Sequence, residues 1–539
     1  MRTSILFTTI GALTVAVAPP GEAMAKPPHS ISIAPIGTVA AGSFLTSAAE
    51  IAAHDPATQR LFVVNAQAAQ IDVVDIADPT APVLRDELSI DVTPYGKVAN
   101  SVALHNGLIA VAVEAADKTE EGAVVFFDRN LQFITSVKVG ALPDMLTFTP
   151  DGRYVLVANE GEPSEDYTKD PEGSVSIIDV SNGADQATVR TAGFTAYNGM
   201  SPSELFHGKV PGEKPAVRIY GPDASVAQDI EPEYITVAHD STTAWVTLQE
   251  NNAIAIIDIP SATVTSIAGL GVKDHNLPKN KFGSSNALDP SDRDGGINIA
   301  NWPVKGFYLP DAIASFKVGN ETYLVTANEG DTRDWKGYSE EVRISSMALD
   351  PAVFPASLKS NARLGRLKAT TAQGDTDGNK IFKELYTFGG RSFSIRSANG
   401  GLVWDSGDQL ERKTAERFPA FFNSNHEENI LDGRSDDKGP EPEGVTVGKA
   451  FGRTYAFIGL ERIGGVMVYD VTTPTAPEFV EYESDRNFTV PPSTTAAGDL
   501  GPEGLLFIAE ENSPIGKPLL VVTNEVSGTT RIYAISKVK

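Results

Sequence analysis

Carboxylates recur at two fixed places along this 539-residue chain. Asp144, Glu233, Asp311, Glu443 and Glu503 each follow a proline and open an apolar, strand-like run. Glu50 holds the equivalent place in the first such stretch and Asn100 in the second. The run that follows closes on another acid: Glu114, Glu160, Glu250, Glu329, Glu461 and Glu525, with Asn65-Ala66 as the exception. Neighbouring runs joined by a tight turn pair antiparallel, so the start of one and the end of the next share a face. About a dozen carboxylates are thereby expected at one mouth. Like charges this close repel strongly unless they are paired, protonated or metal-bound. Arg333, Arg434, Lys438 and Arg462 are near in sequence but too few to neutralise them all. Hard oxygen ligands without His or Cys suit Ca²⁺ or Mg²⁺. The expectation is a divalent cation, Ca²⁺ first, with Asp144, Glu160, Asp311, Glu329, Glu443 and Glu503 as ligands. The competing reading makes these acids structural staples that accept backbone N–H groups of adjacent repeats.

A second, local calcium candidate is Asp375-Thr376-Asp377-Gly378-Asn379, which places oxygens on Asp375, Asp377 and Asn379 around a Gly turn. Tyr386 stands where the twelfth-position Glu of an EF-hand belongs, so this is not an EF-hand. The stretch from Asp289 to Gly295 is a weaker case and reads as a surface turn. Catalytic candidates are Arg333 and Asp437. Acids at the mouth would hold a metal that activates water, while Arg333 and Arg391 fork the oxygens of a phosphoester. The segment from Arg434 to Glu443 mixes cations with acids and enters one of the acid-led runs. Other chemistry is thin. There is no nucleophile elbow, no phosphate loop and no HExxH, and His54, His105, His207, His239, His275 and His426 are scattered. With no cysteine there is no thiolate site and no covalent haem attachment, which leaves a quinoprotein-like redox role weakest. Three functions follow: a cation-binding protein, a metal-dependent phosphoesterase, and a non-catalytic platform for a small molecule or protein.

The elements that must position these acids repeat. Residues 143–180 read as three antiparallel strands, turned by Thr149-Pro150-Asp151-Gly152 and ended by Asn159-Glu160-Gly161. The same pattern returns in seven units of about 40 residues, near residues 48–84, 99–137, 143–180, 231–267, 310–404, 442–480 and 502–535. That describes an all-β chain: one seven-bladed β-propeller, whose innermost strands line a central channel. The early strand 31–40 is expected to complete the last unit and close the ring. Long insertions at 192–229, 272–309 and 335–440 are rich in Gly, Asp, Ser and Asn and read as loops that cap one face. If the insertion in the fifth unit held a sheet of its own, the ring would have eight blades.

The formal net charge of −26 argues against a nucleic-acid partner. Residues 1–25 read as a secretory signal, with Arg2, an apolar core and Ala23-Met24-Ala25 before a cut at Lys26. The remainder, 26–539, carries no apolar run long enough to span a bilayer. A secreted or periplasmic monomer is expected.

Several long runs carry a family resemblance: ANEGEPSEDYTKDPEGSVSIIDV, NIANWPVKGFYLPDAIASF, ANEGDTRDW, LYTFGGRSFSIR, RSDDKGPEPEGVTVG and TNEVSGTTRIYAI. The chain resembles the choice-of-anchor I family, which includes cell-surface glycoproteins, over nearly all of 26–539. The resemblance implies an extracytoplasmic β-propeller, and some relatives carry an alkaline-phosphatase label. Family members typically end in a surface anchor. This chain stops at Lys539, just past the last strand, so a released protein is expected.

Overall fold

Seven antiparallel sheets are built from the seven repeats. The computed structural model describes residues 30–41, 44, 47–201, 204–205 and 217–538; the expected signal, 1–25, lies outside them. The innermost strands are Ala52–Asp55, Val98–His105, Pro143–Phe148, Pro232–Val237, Ile313–Val318, Pro442–Ala450 and Pro502–Ile508. Each packs on the next, and the last returns to the first, which closes a propeller of seven blades. The cores lie between blades. Ala110, Val124 and Phe126 of the second blade, for example, meet Leu146, Val155 and Val157 of the third.

The repeat places its acid with a β-bulge. Opposite Asn159 and Val157, the ladder jumps from Pro143 to Leu146; the same jump separates Pro232 from Ile235, Pro442 from Val445 and Pro502 from Leu505. Two residues face one, and such a bulge re-aims the extra side chain. Glycine completes the motif at two places. A Cβ on Gly444 would stand 2.1 Å from the Glu503 carbonyl, and one on Gly504 2.4 Å from that of Glu50. Backbone of the following blade passes where a side chain would be, which explains Pro-Glu-Gly in those repeats.

The early strand closes the ring as expected. Ile31–Ala40 pairs antiparallel with Thr529–Lys537, outermost in the seventh blade. Ile31 and Ile33 are buried with Tyr455, Phe457, Leu520 and Tyr533. Ile33→Val should therefore cost about 1 kcal/mol in a urea unfolding curve; no shift would mean that this strand is frayed in solution.

Two sequence expectations need correction. Most blades carry a fourth, outer strand that the three-strand reading left out, such as Phe133–Ala141, Thr188–Gly193 and Glu478–Glu483. These strands are half exposed and lack a long apolar run. The insertions are also not all loop. Val272–Asp274, Lys305–Phe307 and Tyr386–Thr387 form a small sheet, Glu341–Arg343 pairs with Lys368–Thr370, and Gln409–Arg417 is helical. Ile344, Met347, Leu358, Leu364, Leu367 and Leu385 pack as a separate core with Leu288 and Val304. None of these sheets joins the ring, so seven blades stand. The insertion does reach over the mouth: Gly337 N–H donates to Glu165 O of the third blade's loop at 2.9 Å, and Tyr338 meets Tyr167 edge to face. Among the described residues, no helix is long and apolar enough to cross a membrane.

Candidate functional site

The bulges deliver their acids to one end of the channel. Glu50, Asn100, Asp144, Tyr234, Asp311, Glu503 and Glu525 line a cavity of about 290 Å³ there. Glu160, Glu233 and Glu443 feel these same charges from just beside it, and Glu250 in turn acts on Glu160 and Glu233.

The ring divides into a compensated half and an uncompensated one. On the compensated side, Glu329, Glu441 and Glu461 bring carboxylate oxygens within 4.8 Å of one another. Here the chain supplies the cation itself. Lys438 Nζ lies 2.6 Å from Glu329 and 3.3 Å from Glu441, Arg434 pairs with Glu441 at 2.7 Å, and Arg462 reaches both Glu441 and Glu461. Burial would raise Glu441, but Lys438, Arg434 and Arg462 outweigh it and hold the group far below the usual carboxylate range. Glu114 pairs with Lys97, and Glu162 with Lys118.

No such partner reaches the other half. Among the described residues, no Lys or Arg lies within ion-pair distance of Glu50, Asp144, Glu160, Glu233, Glu250, Asp311, Glu443, Glu503 or Glu525, while their neighbours hold theirs. One oxygen each of Glu233, Glu250, Glu443 and Glu461 is sealed from solvent without a hydrogen bond. The buried carboxylates of Glu443 and Glu503 oppose one another's ionisation, a repulsion that a proton or a cation would relieve. Burial first, then Glu525 and Asp144, push Glu50 up to about 8. Burial with Glu162 and Glu114 pushes Asp144 to about 7, and burial is the main cause at Glu250, also about 7. Glu160, Glu233, Asp311, Glu443 and Glu503 go well above the ordinary range, from burial first and neighbouring carboxylates second. The staple role is visible at the neutral position: Asn100 Nδ2 donates to the Pro143 carbonyl of the next blade at 3.1 Å.

The sequence candidates therefore separate. Asp144, Glu160, Asp311, Glu443 and Glu503 come together, and Glu329 joins them with Lys438 already attached. Arg333 and Asp437 do not meet. Arg333 is 1% exposed. Its guanidinium holds Asp229 at 2.8 Å, Glu231 at 3.2 Å and the Asp229 carbonyl, over the Tyr220 ring. Asp437 pairs with Lys368 and Arg434. Arg391 is buried against Glu411 and three backbone carbonyls. The two arginines expected to fork a phosphate are thus spent inside the protein. Asp375, Asp377 and Asn379 lie in an exposed turn apart from the channel. Asp375 accepts four backbone N–H groups, Lys383 takes Asp377, and Asn379 caps Ile381 N–H. That is the bland Asx turn.

Sequence reasoning singled out neither Asp229 nor Glu231, and took in Glu441 only within the segment from Arg434 to Glu443. Two of them carried a signal: Glu231-Pro232-Glu233 and Glu441-Pro442-Glu443 repeat Glu-Pro-Glu. In both, the first Glu takes an arginine and the second turns to the channel.

Fold and site together define an acid-lined, seven-bladed β-propeller. The choice-of-anchor I domain matches residues 50–474, and the chain belongs to that family. Gigasin-3a of Magallana gigas is 32% identical over 192 residues, 33% of this chain and 67% of that protein. The mesenchyme-specific cell surface glycoprotein of Strongylocentrotus purpuratus is 29% identical over 282 residues, 46% of this chain and 35% of its own length, so this chain spans about a third of that relative. Two solved structures superpose loosely. Kuenenia stuttgartiensis hydrazine synthase gives a TM-score of 0.46 at 14% identity, covering 92% of this chain and 97% of that one. The Cps50 (Swd1) β-propeller domain of Myceliophteria thermophila gives 0.44 at 8%, covering 94% and 100%. The propeller assignment rests on the closed ring of sheets itself.

Proposed function

We propose that this protein is a secreted or periplasmic binding propeller whose channel mouth takes a divalent cation, Ca²⁺ in the first place. The observation that carries the reading is the uncompensated arc: nine carboxylates without a Lys or Arg, three of them, Glu233, Glu250 and Glu443, with an oxygen sealed and unbonded. Ca²⁺ accepts six to eight oxygens in a flexible shell, which suits side chains converging from several blades. Glu443, Glu503 and Asp311 would form the centre, with Glu50 and Glu525 beside them. Export is supported by the leader-like residues 1–25 and by a relative whose name places it at the cell surface.

Glu443→Gln decides between ligand and staple. If the side chain is a ligand, removing its charge relieves repulsion: the metal-free protein becomes more stable and Ca²⁺ stabilises it less. If it is a staple, the variant loses stability with or without Ca²⁺. Metal analysis of the purified protein, with thermal melts in chelator and in Ca²⁺ against Na⁺ at matched ionic strength, reads both. Na⁺ must be included because screening alone weakens repulsion. Absence of any bound ion, together with equal rescue by Na⁺, would end the cation reading. The phosphoesterase reading has less support, because Arg333 and Arg391 are buried and their charges are committed to Asp229, Glu231 and Glu411.

A further inference from the structure

A separate group of carboxylates lies in the insertions, away from the channel. Asp289 and Asp294 belong to one insertion and Asp432 to another, and the three bring oxygens within 4.8 Å of one another. The turn from Asp289 to Gly295 reaches the surface at Arg293 and Gly295, but it is sunk at its start: Asp289 is 0% exposed, and Asp432 beside it 3%. Two of the six oxygens are unused. Asp289 accepts the Ser291 and Asn298 N–H groups, and Asp432 Oδ1 accepts the Ser435 hydroxyl. Asp294 Oδ1 accepts the Gly296 N–H, but its Oδ2 is shut from solvent with no partner. Asp432 Oδ2 has no hydrogen-bond donor among the described residues.

No built-in cation answers these charges. The neighbouring Asp292 takes both Arg293 and Arg366. Arg391 passes close by, yet its charge is spent on Glu411, and it reaches only the backbone carbonyl of Asp289. Glu411 Oε2 in turn accepts the Asp289 N–H, which adds a fourth carboxylate to the neighbourhood. A buried carboxylate left without a counter-charge is strongly unfavourable. The contrast with Glu329, Glu441 and Glu461 is informative. That trio has the same span and contains Lys438; this one has the same span and contains nothing from the chain.

We propose that Asp289, Asp294 and Asp432 form a second cation site, independent of the channel, which takes one Ca²⁺ and ties the two insertions together. The donors are hard oxygens only, the chemistry that Ca²⁺ selects over softer metals.

Equilibrium dialysis against Ca²⁺, followed by metal analysis, tests this on the whole chain. Asp294→Asn and Asp432→Asn should each lose one equivalent of Ca²⁺ relative to wild type. Glu443→Gln should retain that equivalent, whatever the channel does, so failure of this site and failure of the channel reading are separable. Chelator should hasten tryptic cleavage within 272–309 and 335–440 in the wild type, and leave Asp294→Asn unchanged because it is already open. If Asp432→Asn misfolds, Asp294→Asn carries the test, since its side chain is only partly buried and holds a single N–H. Wild-type calcium content in a folded Asp294→Asn variant would overturn the proposal.

Discussion

Arg333→Ala should cost about 3–5 kcal/mol of stability, the scale of a buried ion pair broken from one side. The side chain was a candidate for touching substrate, and the structure gives it other work. Its guanidinium donates to Asp229 Oδ1 at 2.8 Å, to Glu231 Oε1 at 3.3 Å and to the Asp229 carbonyl, with Tyr220 beneath. Asp229 and Glu231 are buried, and without Arg333 both face an acidic mouth that includes Glu250 and Glu162. For a chain this long, each kcal/mol moves the melting temperature by roughly 1 °C, so a drop of about 3–5 °C is expected. Arg333→Lys should rescue only part, because an ammonium cannot fork two carboxylates at once. Adding Asp229→Asn and Glu231→Gln to Arg333→Ala should recover much of the loss, since the cost lies in the stranded charges. An unchanged melting temperature with a lost activity would restore the substrate-clamp reading.

Stability of the metal-free protein should fall as pH rises from about 5 to 8, and Ca²⁺ should flatten that fall. The sign follows from the raised carboxyls. Asp144 and Glu250 stand at about 7 and Glu50 at about 8, against roughly 4 in an unfolded chain. The folded state therefore binds protons that the unfolded state has released. Its advantage is complete below about pH 4 and is lost as pH climbs through 7 and 8. Glu441 acts the other way: its folded form stays charged, so its contribution is present above about pH 4 and disappears on acidification. The two trends put the optimum of the metal-free protein on the mildly acidic side. A bound divalent ion replaces the protons, and at a hundredfold excess over Kd it adds about 2.7 kcal/mol. Melts from pH 5 to 9 with chelator and with Ca²⁺ should diverge increasingly above pH 7. Parallel curves would mean that the mouth takes up no ion.

The ring was legible because its signal is repeated and strong. Apolar runs such as Ala253–Asp258 and Leu519–Asn524 are buried almost throughout, and each recurs beside a turn and a Pro-acid pair. The acids were legible for the same reason. What the sequence hid was pairing at long range. Nothing local says that Lys438 will reach Glu329, or that Arg333 will fold back on Asp229, 104 residues away. Arginine near acids reads equally well as an open clamp or a closed staple, and only burial separates them. The insertions misled through composition. Gly and Asp read as loop, while Leu358, Leu364, Leu367 and Leu385, spread over many residues, assemble a core with no local period. Asp294 and Asp432 are of this kind too, since only the fold brings them to one point.

The seam that closes the ring has a direction. Ile31 faces Lys537, and Ala40 faces Thr529. Ile31 and Lys537 therefore stand side by side, at one edge of one blade. A load applied between them acts across the ladder rather than along it. Bonds would part singly, from Ile31 inward, like a zip, and not together as in a sheared sheet. Pulled apart at Ile31 and Lys537, the ring would begin to open at this seam in the seventh blade.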